Sequence, residues 1–233
     1  MLSFLDNLKR KISHIDFDLS SVFYCFFSNS FQQLLTGLLT IKYIPLYSFS
    51  NSDIMALKKS MIELHRVGVE EYKEKKKLPV TVVLDNVRSE MNVGSIFRTA
   101  DAFLIDRVCL CGITPQPPKA EIHKTALGAE ESVEWKYYST TLDAVSELKR
   151  EGYVICSIEQ VHDSVSLHSF NVHPGQKTAI VFGNEVKGVD QQTVDVSDMC
   201  IEIPQEGTKH SLNISCCAAI VMWHLYQLYI YKE

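Results

Sequence analysis

Beyond Pro79 the chain alternates short, continuously apolar runs with stretches whose apolar residues recur at helical spacing. The runs at 80–85, 107–111, 133–137, 153–158, 178–182 and 199–203 are too short for helices and predict strands. Helical periodicity covers 93–103 and 140–151, and a long apolar helix is predicted over about 212–231. Strands that are apolar on both faces and alternate with helices predict an α/β fold with a mainly parallel sheet, covered on both sides. Sheets of that kind hold ligands at the carboxyl ends of their strands. Chemistry is therefore sought there.

Ahead of the sheet, residues 55–77 show helical spacing at Leu57, Met61, Leu64 and Val67. Seven Lys or Arg against four Glu give this stretch a local charge of +3, with Lys73, Lys75, Lys76 and Lys77 crowded at one end. A solvated helix with i,i+4 ion pairs and an RNA-facing basic arm both account for it. Residues 1–54 differ in character. Lys9, Arg10 and Lys11 precede an uncharged span from 19 to 41, the arrangement of a membrane anchor. Ser20, Ser21, Ser28, Asn29, Ser30, Gln32 and Gln33 interrupt that span, and a polar centre is costly in hydrocarbon. Met55-Ala56-Leu57-Lys58-Lys59 would make an ordinary soluble start, so 1–54 reads as a poorly ordered or non-native extension rather than an anchor. The expected organisation is an extension (1–54), a basic helix (55–78) and a main domain (79–233), in a cytoplasmic protein without membrane association.

The formal net charge of −5 excludes whole-molecule attraction to a polyanion, so nucleic-acid binding would need a local patch. Seven cysteines, an odd number, lie mostly in apolar runs and show no Cys-x-x-Cys pair or Cys/His ligand spacing. They read as small buried apolar residues in a reducing compartment, and no metal is expected. His210 and His224 read as packing or solvated residues. A Rossmann-type dinucleotide or methyltransferase fold needs a Gly-x-Gly turn after its first strand. No two of the ten glycines lie two positions apart, which argues against that class.

Three strand ends carry chemistry. After 80–85 comes Asn92-Val93-Gly94-Ser95-Ile96-Phe97-Arg98, where Asn92 is placed to cap a helix and Gly94 allows close backbone approach in its first turn. Arg98 falls off the apolar stripe of Ile96, Phe97, Ala100 and Phe103 and is expected to turn toward the strand ends; the ordinary explanation is an ion pair with Asp85 or Asp101. After 178–182 comes Gly183-Asn184-Glu185-Val186-Lys187-Gly188, a carboxylate between two glycines that a tight turn would also explain. After 199–203 come Pro204 and Gln205 and then Ser211-Leu212-Asn213. Either Ser211 or Asn213 opens the last helix, at a mouth that favours negative charge. Each fragment alone is ordinary. All three in this order, each at a strand end, are not.

In this combination the chain resembles the SpoU/TrmH branch of the SPOUT RNA methyltransferases. The resemblance rests on Asn92-x-Gly94-x-x-x-Arg98, on Phe182-Gly183-Asn184-Glu185-x-x-Gly188, and on Ile203-Pro204 with Ser211-Leu212-Asn213-x-Ser215, and it covers about 80–231. Leu127-Gly128-Ala129 and Glu159-Gln160 also sit where relatives carry similar residues. The resemblance implies a six-stranded, mainly parallel sheet flanked by helices, with a deep trefoil knot at its C-terminal end, a rare exception to the usual connection rules. It implies methyl transfer from S-adenosylmethionine to a ribose 2′-hydroxyl of RNA, with tRNA preferred over rRNA. It also implies a homodimer whose last helix packs across the interface and whose second subunit completes the site.

The residues implied to be catalytic are Arg98, Asn92, Glu185, Ser211 and Asn213. Those implied to hold the cofactor are Ser157, Ile158 and Glu159; Phe182, Gly183, Asn184, Glu185 and Gly188; and Ile203, Pro204, Gln205, Ser211, Leu212 and Asn213. Many relatives carry Met where this chain has Gln205, a change expected to be tolerated where backbone makes the contact. A catalytically idle RNA-binding module on the same fold is the rival reading. The joint presence of Asn92, Arg98, Glu185, Ser211 and Asn213 weighs against it.

Overall fold

The computed structural model describes residues 57–60, 63–64 and 66–231. The expectations for 1–54, a membrane anchor included, lie outside the described residues. From Ser60 onward the chain forms one unit. Its strands are β1 (Leu78–Asp85), β2 (Ile105–Cys111), β3 (Glu134–Tyr138), β4 (Tyr153–Ile158), β5 (Val165–Ser166), β6 (Lys177–Phe182) and β7 (Met199–Glu202). Its helices are α1 (Val69–Glu74), α2 (Glu90–Ala102), α3 (Ala120–Ala126), α4 (Ala129–Ser132), α5 (Thr141–Arg150), α6 (Gln191–Val196) and α7 (Ile214–Ile230).

The strands form one sheet in the order β3-β2-β1-β6-β4-β7-β5. Every pairing in it is parallel. It has seven strands where six were expected. The addition is β5, which pairs with β7 at the sheet edge through Val165 and Ser166 alone. So short a strand has no periodicity to read. The chain places β7 between β4 and β5, two strands that precede it in sequence.

Alternation along the strands sorts the core into two layers, as the two-residue period requires. Val80, Val82 and Leu84 of β1, with Ile180 and Phe182 of β6, enter a large core that includes α2 and α7. Val83 of β1, with Ala179 and Val181 of β6, packs instead against Ala144, Val145 and Leu148 of α5. Each large apolar side chain among them, fully buried, stabilises the fold by about 1.5–3 kcal/mol.

Three local expectations change. Among the described residues of 55–77, the helical spacing yields only the short α1, which ends where Lys75 turns extended; Leu78 then donates its N–H to Leu104 O at 2.8 Å to start β1. Ser89, not Asn92, caps α2, accepting the Asn92 N–H at 3.2 Å; Asn92 is the third residue of the helix, in its first turn. At α7, Asn213 rather than Ser211 is the cap, its side chain accepting from Ser215 N at 2.8 Å.

Gly94 marks where α2 meets α3. A Cβ there would lie 2.1 Å from Thr125 Oγ1 and 2.3 Å from Ile122 O. The last helix buries Ile214, Ala218, Val221, Met222, Leu225 and Leu228. It also leaves Ile220, Trp223 and Ile230 exposed, so its apolar surface exceeds what its own chain covers. Among the described residues, no helix is long and apolar enough to cross a membrane.

Candidate active site

The carboxyl ends of β4, β6 and β7 open onto a cavity of about 540 Å³. Its walls bring together Ile158, Glu159, Phe182, Gly183, Asn184, Glu185, Gly188, Ile203, Gln205, Ser211, Leu212 and Asn213. These residues lie in three widely separated stretches of chain and share one wall because parallel strands all deliver their next loops to the same edge. Ser157 and Pro204 are not among the lining residues. Ser157 is buried, its hydroxyl 2.8 Å from that of Ser197.

Backbone approach shapes the loop after β6. Asn184 and Gly188 exchange N–H to O bonds at 2.9 Å, and Asn184 Oδ1 accepts from Val186 N and Lys187 N at 2.9 and 3.2 Å. Asn184 Nδ2 ties the turn back to Asn86 O at 2.8 Å. Gly188 has φ +72°, and a Cβ on it would meet Glu159 Oε2 at 2.1 Å. That same oxygen accepts the Val189 N–H at 2.9 Å. Glycine is required at 188 for both conformation and room.

Glu185 reaches across to the mouth of α2. Its carboxylate accepts from Arg88 N and Ser89 N, each at 3.0 Å, and from Asn92 Nδ2 at 3.1 Å. Partial burial raises its pKa, but the amides of Arg88, Glu185 and Ser89 and the Asn92 side chain outweigh that and hold it below the usual carboxylate range. Asn92 Oδ1 in turn accepts from Asn213 Nδ2 at 3.2 Å. A continuous path Glu185–Asn92–Asn213 thus joins all three motif regions. This departs from the role foreseen for Asn92. Its side chain bridges two loops instead of capping its own helix.

Arg98 is not brought to this cavity. It is exposed and lines a separate groove of about 520 Å³ with Arg66, Tyr72, Lys75 and Asp101. Its anticipated ion pairs are absent among the described residues. Asp85 is buried and satisfied by Thr141 Oγ1 at 2.5 Å, Asn86 Nδ2 at 2.9 Å and Asp190 N at 2.8 Å. Asp101 accepts from Ser132 Oγ at 2.7 Å. Asn92 and Arg98 are six positions apart on α2, about 240° around its axis, which separates them to different faces.

Sequence reasoning missed Gln160, Lys187, His210, Ile214 and Cys217 as wall residues of the cavity. Gln160 Nε2 donates to His210 O at 3.0 Å, tying the loop after β4 to the loop before α7. Nothing local marks that contact. Cys217 offers no nucleophile at neutral pH, since burial pushes its thiol up to about 12. Among the described residues, His123, Glu130 and Glu131 form one group whose ligand atoms lie within 4.8 Å of one another. None of the three lines the cavity. His123 Nδ1 sits 2.5 Å from Glu130 Oε1, and that hydrogen bond raises the imidazole pKa, which is the behaviour of an ion pair.

A model of the SpoU rRNA Methylase family matches residues 79–223. The chain belongs to that family. Among SpoU relatives, a protein of Staphylococcus haemolyticus named for the TrmH family of tRNA/rRNA methyltransferases is 30% identical over 159 residues, covering 68% of this chain and 63% of the relative. The chain therefore spans just under two thirds of the length of that curated relative. The crystal structure of the A. aeolicus TrmH/SpoU tRNA modifying enzyme superposes with a TM-score of 0.63 at 26% identity, covering 70% of this chain and 82% of that one. The SpoU methyltransferase AviRb of Streptomyces viridochromogenes, solved in complex with AdoMet, shares the fold with a TM-score of 0.60 at 21% identity, over 69% and 64% of the two chains.

Proposed function

We propose that this chain transfers a methyl group from S-adenosylmethionine to a ribose 2′-hydroxyl of structured RNA, with tRNA the preferred substrate over rRNA. The observation that carries the reading is the Glu185–Asn92–Asn213 path, which unites the three motif regions on one cavity. The cavity's donor set suits the cofactor. Ile158, Phe182, Ile203 and Leu212 offer apolar surface for a flat base, while the backbone of 183–188 and the Ser211 and Asn213 side chains offer polar partners. When bound, S-adenosylmethionine supplies an electrophilic methyl on a sulfonium, already a good leaving group.

The chain's own task is then alignment. Glu185, held ionised by the backbone amides and the Asn92 side chain around it, fixes the mouth of α2 against the loop after β6. Asn92 and Asn213 hold the third loop in register with them. Arg98 orients the nucleophile through the ribose hydroxyl or a neighbouring phosphate; a guanidinium, with a pKa above ~12, is a poor base.

Because Arg98 lies outside its own chain's cavity, we also propose a homodimer in which a second copy completes the site. The exposed Ile220, Trp223 and Ile230 of α7 supply an apolar face for that contact. We further propose a C-terminal trefoil knot, supported by the insertion of β7 between β4 and β5, and residence in the cytoplasm.

Ribose methylation mapped in cellular RNA with and without this protein tests the activity, and one 2′-O-methyl site lost on deletion is the expected result. Calorimetry with S-adenosylmethionine tests the idle-module rival: absence of binding would favour it. Sedimentation velocity tests the dimer, which a monomer at micromolar concentration would remove.

A further inference from the structure

One wall of the groove that carries Arg98 comes from a segment outside the family match. Arg66, Tyr72 and Lys75 line it, and they precede residue 79, where the match begins. At about 520 Å³ the groove has room for a nucleotide unit. Three cations, Arg66, Lys75 and Arg98, share one space with two acids, Asp101 and Glu131. Asp101 is already engaged by Ser132, and the balance is positive. None of the three cations has an ion pair among the described residues.

A second, independent feature lies in the same wall. Tyr72 is 4% exposed, and its hydroxyl is buried with no hydrogen-bond partner among the described residues. Burying a hydroxyl without a partner is costly, and such groups are rare in native folds. The hydroxyl itself has no accessible surface, so a polar ligand in the groove supplies the partner once the wall around it opens. The ring itself is held: Lys77 Nζ stands 3.5 Å from its centroid. Burial raises the phenol's pKa, so it is a donor at neutral pH. Two guanidinium groups, an ammonium and a phenol make a donor set that matches an acceptor-only anion of phosphodiester type.

We propose that Arg66, Tyr72 and Lys75, together with Arg98, hold a backbone phosphate of the RNA substrate, so that the segment before β1 is a substrate-recognition element. This rests on the reading of the chain as an RNA methyltransferase. The segment binds the polyanion, while the cavity at the strand ends binds the methyl donor. The local positive charge of a chain that is acidic overall thereby acquires a purpose.

The test compares the full-length wild type with Arg66→Ala/Lys75→Ala and with Tyr72→Phe. Affinity for an unmodified tRNA transcript and for an rRNA fragment is measured over a range of salt concentrations. The double variant is expected to bind about tenfold or more weakly, and the slope of log affinity against log salt should fall by about 0.7–0.9 for each phosphate no longer engaged. Tyr72→Phe should weaken binding a few-fold. Arg66→Lys/Lys75→Arg should restore the slope. Calorimetric affinity for S-adenosylmethionine should match wild type in every variant, and the kinetic defect should fall on KM for RNA rather than on kcat.

Wild-type RNA affinity and slope in the double variant would overturn the proposal, even with methylation intact. Parallel loss of cofactor affinity would also overturn it, by marking a structural role. Failure of the wild type to bind either RNA would do the same. A wild type that binds RNA through the groove but transfers no methyl group would remove the enzymatic reading and leave the groove standing.

Discussion

The cavity at the strand ends and the groove beside Arg98 use their polar groups in opposite ways. Around the cavity, side chains are spent on backbone. Glu185 accepts two amides and a side-chain donor, Glu159 accepts the Val189 amide, and Asn184 holds the Val186 amide of its own turn and the Asn86 carbonyl just after β1. In the groove, the cations stand without ion partners among the described residues, and the Tyr72 hydroxyl is buried without a hydrogen bond. A small ligand gripped by backbone needs its walls set in advance, since ordering them on binding would cost affinity. A polyanion needs charge in reach more than fixed geometry, because released counterions supply much of the binding. Position is built into one region and charge into the other.

Removing the one groove residue assigned to chemistry should have the largest effect. Arg98→Ala is expected to cut methyl transfer by a factor on the order of 100 or more while cofactor affinity holds; single-turnover assays beside calorimetry read both. Full turnover in that variant would refute the role assigned to Arg98. Next comes Gly183→Ala. Its Cβ would stand 2.0 Å from Gly188 C and from Val189 N, so the loop must move. A loss of about 1–3 kcal/mol in urea unfolding is expected, with cofactor binding largely gone. Wild-type behaviour would show that the cavity wall is not set by this close approach.

A subtler change sharpens the contrast. Glu185→Gln keeps the shape but turns one acceptor into a donor facing an N–H, and should cost about 1–2 kcal/mol of stability. RNA affinity through the groove should stay as in wild type. If RNA binding falls in step with stability, the two regions are not independent. The smallest effect is on acid stability. Glu185 is held below its usual pKa, so its contribution is present above the unfolded carboxylate value of about 4.3 and is lost as pH falls through the lower folded value. Glu185→Gln should flatten that part of the acid decline. Asp143 and Glu147, also lowered, should keep the remainder. An unchanged pH profile would remove Glu185 as a contributor.

Local pattern made most of the sheet legible. The run at 153–158 is β4 to the residue, and the runs at 80–85, 107–111, 133–137, 178–182 and 199–203 each lie within two residues of an observed strand end. Short continuous apolar runs survive folding because both faces of a parallel strand are buried. Helices α3, α4 and α6 went unread. They have four to seven residues, too few for a period to declare itself. The cavity residues of the three motifs were legible as types, since Gly-Asn-Glu and Ser-Leu-Asn end their strands in sequence as they do in space. The partners of Asn92 and the place of Arg98 were not.

By itself, then, the sequence determined which segments are strands, which loops bear chemistry and which family they belong to, because apolar periodicity and motif spacing are properties of neighbours along the chain. Only the tertiary structure decided that Asn92 bridges Glu185 and Asn213, and that Arg98 faces a different space, beside Arg66 and Tyr72. Those bonds join residues up to 121 positions apart. They exist because parallel strands return every second loop to the same edge while a helix turns its successive residues to different sides.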